Sequence, residues 1–255
     1  MYKTLPQLLQ HIVSTYGANE AQLSKDDNGS FIPTTYTQFY QEVLHLAAGL
    51  ASIGVRRNDP VGLISDNRKE WLVTDMAILS LGAADVPRGR DAMSYELQFI
   101  LNITESAICF AENTEQARKI LDLVSDLPHL KTIVLMDTEH HAGSELNHES
   151  AIQIMTYDEL MKIGKEHHKK HPKLVEQEIA KGTEDETATI IFTSGTTGEP
   201  KGVMLTHRNF LFQLEQLPKV IPFNKGERWL SVLPVWHSFE RILQYVIVCQ
   251  ASAIA

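Results

Sequence analysis

At 255 residues with 43% apolar side chains, the chain can bury one large core or two modest ones, which excludes a disordered or fibrous protein. Its 23 basic and 32 acidic residues leave a formal charge of −9, which argues against a nucleic-acid surface but leaves room for a local phosphate site. The two cysteines, Cys109 and Cys249, lie far apart inside apolar runs and read as small core residues of a reducing compartment, not as a disulfide.

The N-terminal stretch MYKTLPQLLQHIVSTYG is broken by Pro6 and His11, so it lacks the apolar core of a signal peptide. No segment approaches the ~18 apolar residues of a membrane span. A soluble, cytoplasmic protein is expected. From Thr37, read as an N-cap, Phe39, Val43, Leu46, Ala47, Leu50 and Ile53 recur at helical spacing up to Gly54,. VGLIS at 61–65 reads as a strand, and NRKEWLVTDMAILSLG as a helix with Trp71, Leu72, Met76 and Leu79 on its apolar positions,. ADVP, SYELQFILNIT, AICFAE, NTEQARKILDLVSDL and TIVLM (132–136) continue the alternation. Strands separated by helices of this length predict βαβ units, hence an α/β fold with a largely parallel, doubly wound sheet.

Between Asp137 and Glu186 the periodicity fades into DTEHHAGSELNHES and the charged GKEHHKKHPKLVEQEIAKGTEDE, read as a surface excursion or linker between an N-terminal α/β subdomain (1–136) and the start of a second (187–255). Six of the 11 histidines fall here: His140, His141, His148, His167, His168 and His171. With no cysteine beside them, and no spacing that sets two on one helical face next to a third ligand, a zinc site is not expected. The chain then ends in ILQYVIVCQASAIA, apolar enough that it must be buried; the expectation is the first part of a longer protein.

Chemistry concentrates in TSGTTGEPKG, from Thr193 to Gly202, directly after the apolar run ATIIF. Small residues at the carboxyl end of a buried strand let backbone N–H groups converge on an anion, the hydroxyls add donors, and Lys201 supplies a mobile charge. The Walker A pattern is not met, since Gly195 to Gly198 is too short a spacing and Gly202 follows the lysine,. Thr206 is a good N-cap for HRNFLFQLEQL, a scaffold helix whose first residues, His207 and Arg208, read as exposed. A serine-hydrolase elbow is absent, because Ser194 has no preceding glycine,.

TSGTTGEPKGVMLTHRN resembles the signature loop of the adenylate-forming (AMP-binding) enzymes, and LPVWHSFER resembles that family's next motif in the form closest to long-chain fatty acid–CoA ligases. The resemblance implies an ATP-dependent acid–thiol ligase with ATP, Mg²⁺ and coenzyme A. Thr193, Ser194, Gly195, Thr196, Thr197 and Gly198 would wrap the β and γ phosphates, Thr193 would also help to hold Mg²⁺, and Lys201 would steady the leaving phosphates. His237 would be the catalytic-site residue that shapes the carboxylate position. Some relatives carry an aromatic gate for the acyl tunnel four residues after this histidine. Arg241 stands there, so the gate is not carried over, and Trp236 is the nearest aromatic substitute. Arg88 and Arg90 in ADVPRGRD could bind cofactor phosphates, although exposed loop arginines is the preferred reading. The family's adenine, ribose and adenylation-lysine segments are not found, so the chain alone is expected to be inactive and to be part of a ligase about twice its length. The implied partners are small molecules (fatty acid, ATP, CoA), with a peripheral place at the inner face of a membrane compatible with them. Rival readings are a fatty-acyl-AMP ligase, an acyl-carrier-protein synthetase and a non-catalytic ATP-binding module.

Overall fold

The computed structural model describes residues 2–26, 28–137, 151–193 and 200–255. Helix α1 (Leu5–Tyr16) starts where the Thr4 hydroxyl accepts the Gln7 amide and Pro6 presets the first turn, and it turns Leu5, Leu8, Leu9 and Ile12 inward,. Strands β1 (Glu20–Lys25) and β2 (Phe31–Thr35) pair antiparallel. Helix α2 (Tyr36–Ser52) is capped by Thr35, not by Thr37. Gln38 closes a reciprocal capping box only with Thr35, and the Thr37 hydroxyl instead donates to the Gly17 carbonyl at 2.9 Å,.

The expected alternation follows: β3 (Pro60–Ile64), α3 (Lys69–Ser80), β4 (Ala84–Arg88), α4 (Ser94–Ile103), β5 (Ile108–Ala111), α5 (Thr114–Leu121) and β6 (Thr132–Leu135). After it come β7 (Gln153–Thr156), α6 (Tyr157–Lys170), α7 (Leu174–Lys181), β8 (Thr187–Thr193), β9 (Lys201–Thr206), α8 (His207–Gln216), β10 (Arg228–Trp229), α9 (Ser238–Cys249) and β11 (Ala253–Ile254). The main sheet has the order β7-β6-β5-β3-β4-β8-β9, parallel throughout except for β9, which runs antiparallel to β8. Helices cover both faces, as a doubly wound sheet requires. Leu97, Leu101, Ala117, Ile120 and Leu121 of α4 and α5 form one core. The larger core on the other face takes the apolar sides of α1, α2, α3, α6, α7, α8 and α9.

The chain leaves β3 toward β4 and then crosses back past β3 to β5. In open α/β sheets a ligand crevice lies at the carboxyl ends of the strands, where the strand order reverses in this way.

The segment read as a surface excursion is in its described part built into the fold. β7 pairs with β6 from Thr132↔Gln153 to Leu135↔Thr156, and α6 buries Tyr157 and Leu160. α6 crosses α2 at glycines: a Cβ on Gly164 would stand 1.9 Å from the His45 carbonyl oxygen, and one on Gly49 2.7 Å from that of Leu160. A four-residue strand with one buried residue, followed by a helix that presents a glycine to its neighbour, leaves little apolar period to read,. Residues 138–150 of that segment, with His140, His141 and His148, lie outside the described residues.

The second sheet has the order β10-β11-β1-β2, with β11 parallel to both neighbours. The apolar run read as buried is α9, which sinks Tyr245, Val246, Ile247 and Val248 into the larger core. Cys109 is fully buried, which pushes its thiol up to about 12, while Cys249 is half-buried; both are free. No described helix is long and apolar enough to cross a membrane.

Candidate functional site

Thr193 is the last residue of β8 and Lys201 the first of β9, and the two are Cα partners across the antiparallel ladder. Directly opposed residues of such a pair hold their Cβ atoms about 5 Å apart. The loop between them, carrying the expected phosphate binders Ser194, Gly195, Thr196, Thr197 and Gly198, lies outside the described residues. Its two anchors are therefore an exposed hydroxyl and an exposed ammonium side by side at the carboxyl end of β8. VMLT, which follows the loop, belongs to the antiparallel strand β9; Thr206 caps α8 as expected, in a capping box with Asn209.

His237 is the N-cap of α9, and its Nδ1 accepts the Phe239 amide at 3.4 Å. With Nδ1 accepting, the proton of the neutral ring sits on Nε2. The loop before it is braced from β3's carboxyl end by Asn67. Its Oδ1 accepts the Val235 amide at 2.9 Å, and its Nδ2 donates to the Leu233 carbonyl at 2.7 Å and to Ser231 Oγ at 2.9 Å. Ser231 in turn donates to buried Glu240 Oε1 at 2.6 Å and accepts from Gln244 Nε2 at 3.0 Å. Trp236 packs against the carboxyl end of β4: a Cβ on Gly89 would meet its Nε1 at 2.3 Å, and the Arg88 guanidinium lies 4.9 Å above its ring. His237 is thus held beside the end of β4, the strand next to β8.

Arg88 is not an exposed loop arginine. It ends β4, is 17% exposed and pairs with Glu96 at 3.0 Å, because stacking on Trp236 covers it. Arg90 is the exposed one at 57%, and it pairs with Asp66 at 2.8 Å and Glu112 at 3.4 Å. A cavity of about 750 Å³ lies along this flank, lined by Asp66, Asn67, Arg90, Gln116, Lys119 and Trp236 among others. Its cations are already neutralised, Lys119 by Glu115 at 3.8 Å, while the buried Gln116 Oε1 has no hydrogen-bond partner. The cavity therefore offers a ligand little free positive charge.

His207 is not exposed. It is 1% accessible at the start of α8, where Nδ1 accepts the Leu5 amide at 3.4 Å, because α8 docks its first turn on the start of α1. Burial, reinforced by the charges of Arg241 and Arg57, holds its imidazole down at about 4,. Arg208 is exposed as expected and pairs with Glu184 at 3.0 Å and Asp185 at 2.7 Å. His167 and His171 stack at 4.7 Å between centroids, and His168 meets His45 at 5.6 Å; no group of three or more metal-ligating side chains is assembled among the described residues.

Sequence reasoning missed the polar centre under the site. Arg241 is 0% exposed and uses all five guanidinium N–H groups,. Nε donates to Tyr245 Oη at 2.8 Å, Nη1 to Asp85 Oδ2 at 2.9 Å and Thr189 Oγ1 at 2.7 Å, and Nη2 to Asp85 Oδ1 and Asp75 Oδ1. Tyr245 returns a bond to Asp75 Oδ2 at 2.7 Å. Burial raises both carboxyls against the pull of the guanidinium, Asp75 to about 7,. Two carboxylates facing one guanidinium in a dry interior leave a charge too many, which is the physical reason that the Asp75 carboxyl is driven up,. The available signal was a charged residue inside each of three apolar stretches, LVTDMAIL, AADVP and RILQYV.

The AMP-binding enzyme family matches this chain over residues 8–255. The chain belongs to the AMP-binding enzymes. An AMP-binding relative named as a chloroplastic long-chain-fatty-acid–[acyl-carrier-protein] ligase of Arabidopsis thaliana is 33% identical over 249 residues, covering 96% of this chain and 34% of its own length. A long-chain-fatty-acid–CoA ligase of Mycobacterium tuberculosis is 30% identical over 218 residues, covering 85% of the chain and 34% of its own length. The chain thus spans about a third of the curated AMP-binding relatives it matches, less than the half expected. Among solved structures, an anthranilate CoA ligase in complex with anthranoyl-AMP superimposes with TM-score 0.81 at 19% identity, covering all of this chain and 45% of its own. A long-chain-fatty-acid-CoA ligase from Archaeoglobus fulgidus does so with TM-score 0.76 at 21% identity, covering 100% and 47%. These likenesses establish the fold of the AMP-binding enzymes' N-terminal region for this chain.

Proposed function

We propose that this chain supplies the phosphate-loop and His237 portion of an ATP-dependent ligase that activates a long-chain fatty acid. The acid's carboxylate oxygen attacks the α-phosphorus of ATP, the bond to the bridging oxygen breaks, and acyl-AMP and pyrophosphate result; a thiol then attacks the acyl carbon and expels AMP. The observation that carries this reading is the pairing of Thr193 with Lys201 at the carboxyl end of β8, next to the strand whose end supports Trp236 and His237. A reaction of this kind asks the protein for positioned donors on developing phosphate charge, not for a protein nucleophile.

Within it, residues Thr193 to Gly198 enclose the β and γ phosphates and Lys201 follows the departing pyrophosphate. Mg²⁺ fits as an ion carried in by the phosphates, with the Thr193 hydroxyl as a protein ligand, since Mg²⁺ keeps waters and phosphate oxygens in preference to an all-protein cage. No protein-built cage exists among the described residues. His237, with Nδ1 committed to the helix start, offers an Nε2 donor to the acid's carboxylate,.

Coenzyme A is the thiol in the first reading, and the carrier protein's thiol is the alternative favoured by the name of the Arabidopsis relative. The test is ATP–pyrophosphate exchange by the ligase containing this chain, with and without fatty acid, followed by acceptor assays with CoA and with acyl carrier protein. Acid-dependent exchange that Lys201→Ala slows and His237→Gln weakens is expected. Nucleotide binding with no exchange under any acid would replace this reading with the sensor module.

A further inference from the structure

We infer that Arg241 is a positioning residue: it fixes where His237 stands relative to strand β8. The inference uses the functional reading above only to say what His237 serves. Four elements meet at this guanidinium: α3 through Asp75, β4 through Asp85, β8 through Thr189, and α9 through Arg241 itself and Tyr245. The rings of Trp71, Phe210 and Tyr245 enclose it at 5.4, 5.6 and 5.6 Å.

Replacing a buried ionic cluster by well-packed apolar side chains commonly leaves stability unchanged or raised, so stability alone does not account for it. Direction does. The apolar side of α9, Tyr245 to Val248, can slide or roll on the core at small cost, since dispersion contacts carry little angular preference. Four N–H groups aimed at acceptors on three other elements cannot. A slip of one helical turn, about 5.4 Å, breaks all four. One turn before Arg241 is His237, whose carbonyl accepts the Arg241 amide at 3.3 Å. Four residues beyond Thr189 on β8 is Thr193, about 13 Å along a strand. The same side chain therefore sets the height of the helix that starts at His237 and grips the strand that ends at the phosphate loop. It lies too deep to meet a substrate itself.

The test labels the histidine rings of the 255-residue chain and identifies the His237 signal through His237→Gln. Arg241→Lys keeps the charge but not the fork. It is compared with Leu9→Ala, a cavity in α1 that lowers melting without touching the network. The expected result is a His237 ring signal that shifts or doubles in Arg241→Lys and stays in place in Leu9→Ala. Should Arg241→Lys not fold, Tyr245→Phe and Thr189→Val each remove one hydroxyl from the network and answer the same question.

In the ligase containing the chain, Arg241→Lys is expected to lower kcat for exchange on the order of 100-fold with the KM for ATP within about threefold. An unmoved His237 signal in the folded variants, or an equal shift in Leu9→Ala, overturns the inference. A moved signal with no exchange by the wild-type ligase leaves the positioning intact and removes the functional reading instead.

Discussion

Asn67 grips the backbone of Val235 and Leu233, accepting a hydrogen bond from the one's amide and donating one to the other's carbonyl. The loop contributes no strand of its own at this point, so its polar groups depend on the side chain. Asn67→Ala is expected to cost about 1 kcal/mol per lost bond at most. Asn67→Asp keeps the acceptor toward Val235 but turns a carboxylate oxygen on the Leu233 carbonyl. It should melt lower than Asn67→Ala; equal melting temperatures would show that the clamp is not bidentate.

His207 gives the protein an acid-side weakness. The folded imidazole is depressed to about 4 against an ordinary 6.5, so its contribution is complete above about pH 6.5 and is lost as the pH falls toward 4. Protonation there abolishes the acceptor for the Leu5 amide. The shift corresponds to ~3 kcal/mol over that window. Chemical denaturation of the wild type and of His207→Asn at pH 7 and pH 4.5 measures it: the change in stability between the two pH values should differ by about that amount between the two proteins.

Asp75 acts in the opposite direction. Burial raises its folded carboxyl from 3.8 to about 7, so the stability associated with its proton is fully present below about 3.8 and is lost as the pH rises through about 7. Between pH 4 and 7 these two slopes oppose each other, and their joint contribution is flatter than either,. Asp75→Asn should expose the His207 slope, with stability climbing more steeply toward neutrality. A parallel profile would mean that Asp75 is ionised throughout.

Gly164→Ala tests the crossing of α6 and α2. Alanine improves helix propensity by about 1 kcal/mol, yet its methyl would stand 1.9 Å from a backbone oxygen that cannot rotate away. Overpacking of this kind typically costs 1–3 kcal/mol or more. The steric term wins, and a net loss of about 2 kcal/mol with a drop of roughly 4–8 °C in Tm is expected.

The alternating core of the fold was readable because β3 to β6 are short, largely buried runs separated by stretches of helical periodicity, and the α/β class follows from them. β1, β2 and β7 were not readable: β2 begins with exposed Phe31 and Ile32, and β7 buries only Met155. These strands exist by pairing with neighbours already in place, which a local pattern does not record. At the site, Thr193, Lys201 and His237 stand out because their motifs are contiguous. Arg241, Asp75 and Asp85 come from three places in the chain, and their meaning arises only when the fold brings their charges together in a dry interior. His207 misled for the converse reason, since the start of a helix is normally wet and here another helix covers it.

The insertion of β11 between β10 and β1 also has a consequence in time. Gln22 pairs with Ile254, and the Asn19 side chain donates to Ala251 across 232 positions. On a ribosome adding 5–20 residues per second, β1 waits on the order of tens of seconds for its parallel neighbour. Through that interval one edge of β1 is uncovered, and for its first part so is the α2 surface that receives α6, while the hairpin partner β2 is already made. The nascent chain therefore emerges with a sticky seam, and its yield in a cell should depend more on what shields that seam during synthesis than on the stability of the finished protein.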